Sequence, residues 1–245
     1  PTLSSAASDV YKRQLLETAS VLRTVRHAGE FGVQIGDPRL DLTKTMERKQ
    51  AVIDQLISGV EGLLKNRKVT VYNGTGSLQS KTEVNVASVD GSKILLSAQN
   101  IILASGSKPR TIPGFEIDGN QIMTSDELLS ITEVPKSVAI IGGGAIGAEF
   151  ASTLNDFGAD VTLIEALPQI LATCDRDLSK TVTRSFKKRG INVLAGTKVL
   201  GHSKSGEGIE IKIDSGSVTV EKVVISVGRR PVSYTHLRAH ETTEH

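Results

Sequence analysis

The sequence predicts a mixed α/β fold built around a parallel sheet, on three observations. Residues 137–141, 161–164 and 223–227 are short, nearly unbroken apolar runs, the pattern of strands buried on both faces. Residues 145–157 between the first two have helical character, with small residues Ala148, Ala151 and Ser152 where a helix would press on a sheet. The junction is Gly142-Gly143-Gly144-Ala145-Ile146-Gly147, a glycine-rich strand-to-helix turn.

Composition bounds the rest. At 245 residues, with 38% apolar side chains and 23 glycines, the chain has room for one large or two modest domains and is too apolar for disorder. A net charge of +2 weighs against a nucleic-acid or membrane-surface partner. Cys174 is the single cysteine, which excludes an intrachain disulfide and any two-thiol redox centre within these residues. The uncharged stretch 137–148 holds four glycines and is too short to span a bilayer. No signal peptide is readable, so the chain reads as cytoplasmic. Residues 1–14 and 232–245 lack turn logic and amphipathic register and read as non-native ends. The second holds His236, His240 and His245; the His236–His240 spacing suits a helical metal face, but no third ligand accompanies it and no metal site is expected.

The elements follow in order. Residues 42–66 carry a helical stripe, Ile53, Leu56, Ile57, Val60, Leu63 and Leu64, with Asp41 as N-cap. Residues 69–72 read as a strand running into Gly74-Thr75-Gly76. Val84 and Val86 alternate with polar neighbours, Asp90-Gly91 signals a hairpin, and Ile94 begins the return. Residues 100–104 read as a strand buried on both faces, stopped by Ser105-Gly106-Ser107. Pro109 and Pro113-Gly114 punctuate a domain boundary near 112–120, giving domains 15–113 and 114–231. Thr124 and Glu127 form a capping-box pattern. A further helix is expected at 177–189, a strand at 191–194, a short segment closed by Val199, and a hairpin of Ile209-x-Ile211-x-Ile213 with Val218-x-Val220.

The glycine turn has a specific chemistry. Gly142 allows the tight turn, Gly144 lets a pyrophosphate approach the backbone, and Gly147 lets helix and strand pack closely. Phosphates then face free N–H groups at a helix N-terminus. Glu165 ends the second strand, where a carboxylate accepts hydrogen bonds from both adenosine-ribose hydroxyls and repels a 2′-phosphate. The pattern is a Rossmann-like dinucleotide fingerprint favouring NAD over NADP.

The order of these motifs resembles the flavin-dependent pyridine-nucleotide disulfide oxidoreductases, and within them the dihydrolipoamide dehydrogenase branch. The resemblance rests on residues 40–76, NIILASGSKPRTIPG (100–114), TEVPKSVAIIGGGAIGAEF (132–150) and SVGRRP (226–231), within a span of roughly 15–231. It implies a Rossmann-like FAD/NAD(P)-binding fold in which a complete NAD domain, 114–231, is inserted in an incomplete FAD domain, 15–113. By the same resemblance, Ser105, Gly106 and Ser107 touch FAD, and Gly76 admits its adenine end to the backbone. Gly142, Gly143, Gly144, Ala145, Ile146, Gly147, Ala148 and Glu165 form the NAD cradle, and Gly228 meets the nicotinamide side. Glu149 lies near the nicotinamide carboxamide or is a solvated helix carboxylate; Val199 is an adenine contact or plain strand packing. The resemblance further implies a homodimer that oxidises dihydrolipoamide on the lipoyl domain of a 2-oxo acid dehydrogenase or glycine cleavage complex. Electrons would pass through a redox disulfide and FAD to NAD. The family's first GxGxxG, its CxxxxC pair and its His–Glu base are absent from these residues, so no catalytic residue is assigned and the chain alone is expected to be inactive. Another flavin disulfide reductase, such as a mercuric reductase, and a non-enzymatic NAD-binding module are the other readings.

Overall fold

The structure is a computed structural model that describes residues 5–232, with side chains from Val10 onward. The chain opens with α1 (Ser5–Arg26), so residues 5–14, set aside above as a non-native end, are helical. Leu15, Ala19 and Leu22 recur at helical spacing and are buried, which gives α1 one face to dock. A short 3-10 turn (Ala28–Phe31) leads to α2 (Leu42–Asn66), whose N-cap Asp41 accepts from the Lys44 N–H as expected. A three-stranded antiparallel sheet follows: β1 (Thr75–Leu78), β2 (Glu83–Ala87) and β3 (Lys93–Ser97). The β2–β3 hairpin turns at Asp90-Gly91, where Gly91 takes a left-handed φ of +86°.

Two expected strands do not form. Residues 69–72 and 100–104 run without a ladder among the described residues. Their apolar side chains face solvent: Val71 is 58% exposed and Ile102 is 91% exposed. A strand is defined by its neighbour's hydrogen bonds, and an apolar run with no neighbour remains irregular backbone.

From β4 (Ser107–Pro109) onward the sequence pattern and the structure agree closely. β5 (Ile122–Thr124) passes into α3 (Ser125–Leu128) through a complete capping box between Thr124 and Glu127. Then come β6 (Ser137–Ile141), α4 (Ala145–Phe157), β7 (Asp160–Glu165), α5 (Arg176–Lys188) and β8 (Asn192–Ala195). β9 (Val199–Ser205), β10 (Gly208–Ile213) and β11 (Gly216–Val220) form an antiparallel meander. Val199 therefore opens a seven-residue strand instead of closing a short segment. β12 (Lys222–Ile225) returns to the main sheet, and β13 (Arg229–Pro231) pairs with β4.

The main sheet has order β5-β12-β6-β7-β8, and every pairing in it is parallel. Side chains alternate across it, which divides the core. Val138 and Ile140 of β6 join Phe150, Ala151 and Leu154 of α4 in one apolar cluster. Ala139 and Ile141 join Ile209, Ile211 and Ile213 of the meander in a second cluster on the other face. Helices cover one side and the meander the other, so the strands between read as unbroken apolar runs. β6 connects through α4 to β7 on one side, while β12 lies on its other side. The reversal of strand order falls at the C-terminal end of β6, the place where open α/β sheets bind ligands.

Candidate functional site

At that reversal point the backbone leaves the sheet through Gly142. Its φ of +111° is left-handed, and a Cβ there would lie 2.3 Å from the Ser226 carbonyl oxygen. The chain enters α4 with Gly144 as N-cap, extended at φ −70° and without a side-chain cap bond. The first-turn amides of α4 accordingly have no side-chain acceptor at the cap, and intrahelical bonding leaves such groups open. A Cβ on Gly144 would meet nothing within 4 Å, so the surface above it is clear. Gly147 differs: a Cβ there would lie 1.9 Å from the Gly142 carbonyl oxygen, so helix and loop touch through it. Gly143 was assigned no steric role from sequence, yet a Cβ there would meet Ile170 at 2.8 Å and the Glu165 Cβ at 3.0 Å.

Glu165 sits at the end of β7, and both of its oxygens are engaged by the loops. Oε2 accepts from the Gly143 N–H at 2.6 Å and Oε1 from the Leu167 N–H at 2.8 Å. An ionised carboxylate offers about four lone-pair directions, so two backbone bonds leave room for two hydroxyls. The Leu171 N–H donates to the Gly143 carbonyl at 2.7 Å, binding the 166–171 loop to the glycine turn. Ile146 and Ala148 continue the first turns of α4, with Ala148 buried against the sheet.

The other predicted positions fall on several elements. Gly228 follows β12 with φ +104°, beyond Ser226, whose N–H donates to the Ile141 carbonyl at 2.7 Å. Glu149, on the second turn of α4, forms an ion pair with Lys12 of α1. Nothing in the sequence around Glu149 signals that partner, which lies 137 residues earlier in the chain. Val199 packs against the meander-side cluster. Ser107 lies in β4, where its Oγ accepts from Arg229 Nε at 2.9 Å and its carbonyl from Nη2 at 2.8 Å. Gly106 takes φ +74° and accepts from the Val232 N–H at 3.1 Å. Gly76 belongs to β1, in a different sheet from Ser107, and a Cβ there would make only an ordinary contact at 3.6 Å. The structure thus gathers the glycine turn, Glu165 and the end of β12 at one place, joins the 105–110 segment to the chain just after β12 through the Arg110 N–H and the Gly228 carbonyl at 2.9 Å, and leaves Gly76 in a separate sheet.

Among the described residues no group of His, Cys, Asp and Glu is placed to hold a metal ion, and no helix is long and apolar enough to cross a membrane. Cys174 is exposed. His236, His240 and His245 lie outside the described residues, as does the rest of 233–245.

Known proteins resemble the chain in both sequence and fold. It is 40% identical over 232 residues to the dihydrolipoyl dehydrogenase of Bacillus subtilis (strain 168), covering 89% of this chain and 49% of that protein. It is 38% identical over 220 residues to the dihydrolipoyl dehydrogenase of Chlamydia muridarum, covering 89% of this chain and 47% of that protein. Among solved structures, LpdA from Mycobacterium tuberculosis matches with a TM-score of 0.86 at 21% identity, over 96% of this chain and 51% of that one, a likeness of fold. The chain spans about half the length of the curated relatives it matches. The family described as pyridine nucleotide-disulphide oxidoreductase matches residues 6–242, almost the whole sequence, and the chain belongs to that family.

Proposed function

We propose that this chain is the nucleotide-binding part of a dihydrolipoamide dehydrogenase and that it holds NAD at the turn between β6 and α4. The observation that supports this reading is the pairing of an open α4 N-terminus at Gly144 with the Glu165 carboxylate beside Gly143. The open amides and the helix dipole face the pyrophosphate. Gly144, with clear space where a Cβ would stand, admits the phosphates to the backbone. Glu165 accepts from the adenosine-ribose hydroxyls, and its charge opposes a 2′-phosphate. Gly228 and Glu149 flank the nicotinamide end. Ser105, Gly106, Ser107 and Gly76 would touch FAD, as the family resemblance implies, with Gly106 in a left-handed turn beside β4.

When bound, FAD and NAD supply the passage of an electron pair as hydride to the nicotinamide. In the whole enzyme the balance is dihydrolipoamide plus NAD⁺ giving lipoamide, NADH and one proton. Lipoyl domains of a 2-oxo acid dehydrogenase or glycine cleavage complex are the partners, and the enzyme is a homodimer. This chain orients the nucleotide; one exposed cysteine offers no dithiol, so the chain by itself does not oxidise dihydrolipoamide.

Calorimetric titration with NADH and NADPH tests the assignment. NADH binds more tightly, and Glu165→Ala narrows the gap by about tenfold, the effect of losing charge-assisted hydrogen bonds. Equal affinity of the unaltered chain for both nucleotides contradicts the reading. Turnover of dihydrolipoamide by the purified chain would contradict its restriction to nucleotide binding.

A further inference from the structure

A groove of about 840 Å³ runs along α5, lined also by Pro168 and Gln169 of the 166–171 loop and by Ala195. Its charged lining is Arg176, Lys180, Arg184 and Lys187, and no acidic residue lines it. These four fall on successive turns of one helix face. From Arg176 to Lys187 the row is about 16 Å long at 1.5 Å per residue. Lys180 is bonded to Asp177 at 3.0 Å, whereas Arg176, Arg184 and Lys187 have no ion-pair partner among the described residues.

Opposite charges at i,i+4 would stabilise a helix face, and like charges there oppose it. Here three of four cations are unbalanced and line a concavity. The row is too long for one phosphate to touch. It matches an extended acidic strand, in which alternate side chains lie about 6.6 Å apart, close to the pitch that separates the cations. Nucleic acid fits less well: no aromatic side chain lines the groove to stack a base, and the whole chain carries only +2.

We propose that the α5 groove is a docking site for an acidic polypeptide segment of a partner protein. None of Gly142–Gly147 lines the groove, although its Ala195 pairs with Glu165 in the sheet, so the peptide titration is run without nucleotide. Fluorescence anisotropy with a labelled peptide of about eight residues, alternating Glu and Ser, tests it, since that length exceeds the row in extended form. The full chain binds the peptide near physiological salt. The charge reversal R184E/K187E, at two exposed positions, weakens binding by about tenfold or more. The control reversal K65E/R67E, on the exposed end of α2, changes it less than about twofold. Melting curves of both variants establish that each is folded. The proposal is overturned by no binding to the unaltered chain, by equal losses in the two variants, or by an oligothymidine of equal charge binding as tightly as the peptide.

Discussion

At the residue scale, the glycines of the turn divide into those the fold needs and the one the ligand needs. Gly147→Ala forces a methyl group against the Gly142 carbonyl, 1.9 Å from its oxygen. It should destabilise the chain by about 1–3 kcal/mol or more, the cost of overpacking a rigid contact, read as a lowered urea midpoint. Gly144→Ala adds a methyl into open space at an ordinary φ, so the melting temperature should hold within a few degrees while NADH affinity falls. The pattern of spaced glycines made this division legible for Gly142, Gly144 and Gly147. Gly143 was not legible, because its constraint comes from Ile170 and Glu165, more than twenty residues away along the chain. Asp118 supplies a pH-dependent term. Burial alone would raise its carboxyl, but N–H groups of Asn120, Ile122 and Gln121 all donate to Oδ1, at 2.8, 2.9 and 2.8 Å, and hold it below the usual carboxylate range. A lowered folded value contributes stability that is complete above the unfolded value and is lost as pH falls through the folded one. Asp118→Asn should therefore flatten the decline of stability measured by urea melts between about pH 5 and pH 2.

At the element scale, one buried carboxylate adds to the apolar face and the Lys12–Glu149 pair that dock α1 on the helical side of the sheet. Asp156 of α4, with its side chain 7% exposed, accepts from Arg23 of α1 and from Arg189 after α5, each at 2.8 Å. Arg26 also donates to the Asp156 carbonyl at 2.5 Å. Asp156→Ala strands two guanidinium groups. Because Arg23 is 40% exposed and can be hydrated, the loss should be about 2–3 kcal/mol, below that of a wholly buried pair. Susceptibility to limited proteolysis near residue 27 checks whether α1 is released. The sequence could have indicated α1, since Leu15, Ala19 and Leu22 have helical spacing. Strands 69–72 and 100–104 failed for the opposite reason. Their local apolar pattern is strong, but a ladder is a pairwise property and no described segment lies alongside. The elements of the β6–α4–β7 unit were legible, because each is adjacent in sequence to the one it packs against, even though the constraint on Gly143 was not.

At the scale of the whole molecule, stability is unevenly distributed. The five parallel strands are enclosed by two apolar clusters, with Val138, Ala139, Ile140, Val223, Val224 and Ile225 fully buried. The 42–104 region instead exposes Leu56, Ile57, Val60, Leu63 and Ile102, and its small antiparallel sheet buries only Val86 among its apolar residues. Regions with few buried contacts open first. Amide hydrogen exchange should therefore be fast through β1–β3 and slowest in β6, β7 and β12. Comparable protection in both regions would contradict that distribution.

The central claim is that the β6–α4 turn with Glu165 holds NAD. The most direct measurement is residue-resolved amide exchange or amide chemical shift on the full chain with and without NADH. The account predicts changes concentrated at 142–149 and 165–167, with lesser changes around Gly228, and none in β1–β3. Changes absent from the glycine turn, or centred elsewhere in the chain at saturating NADH, would contradict it.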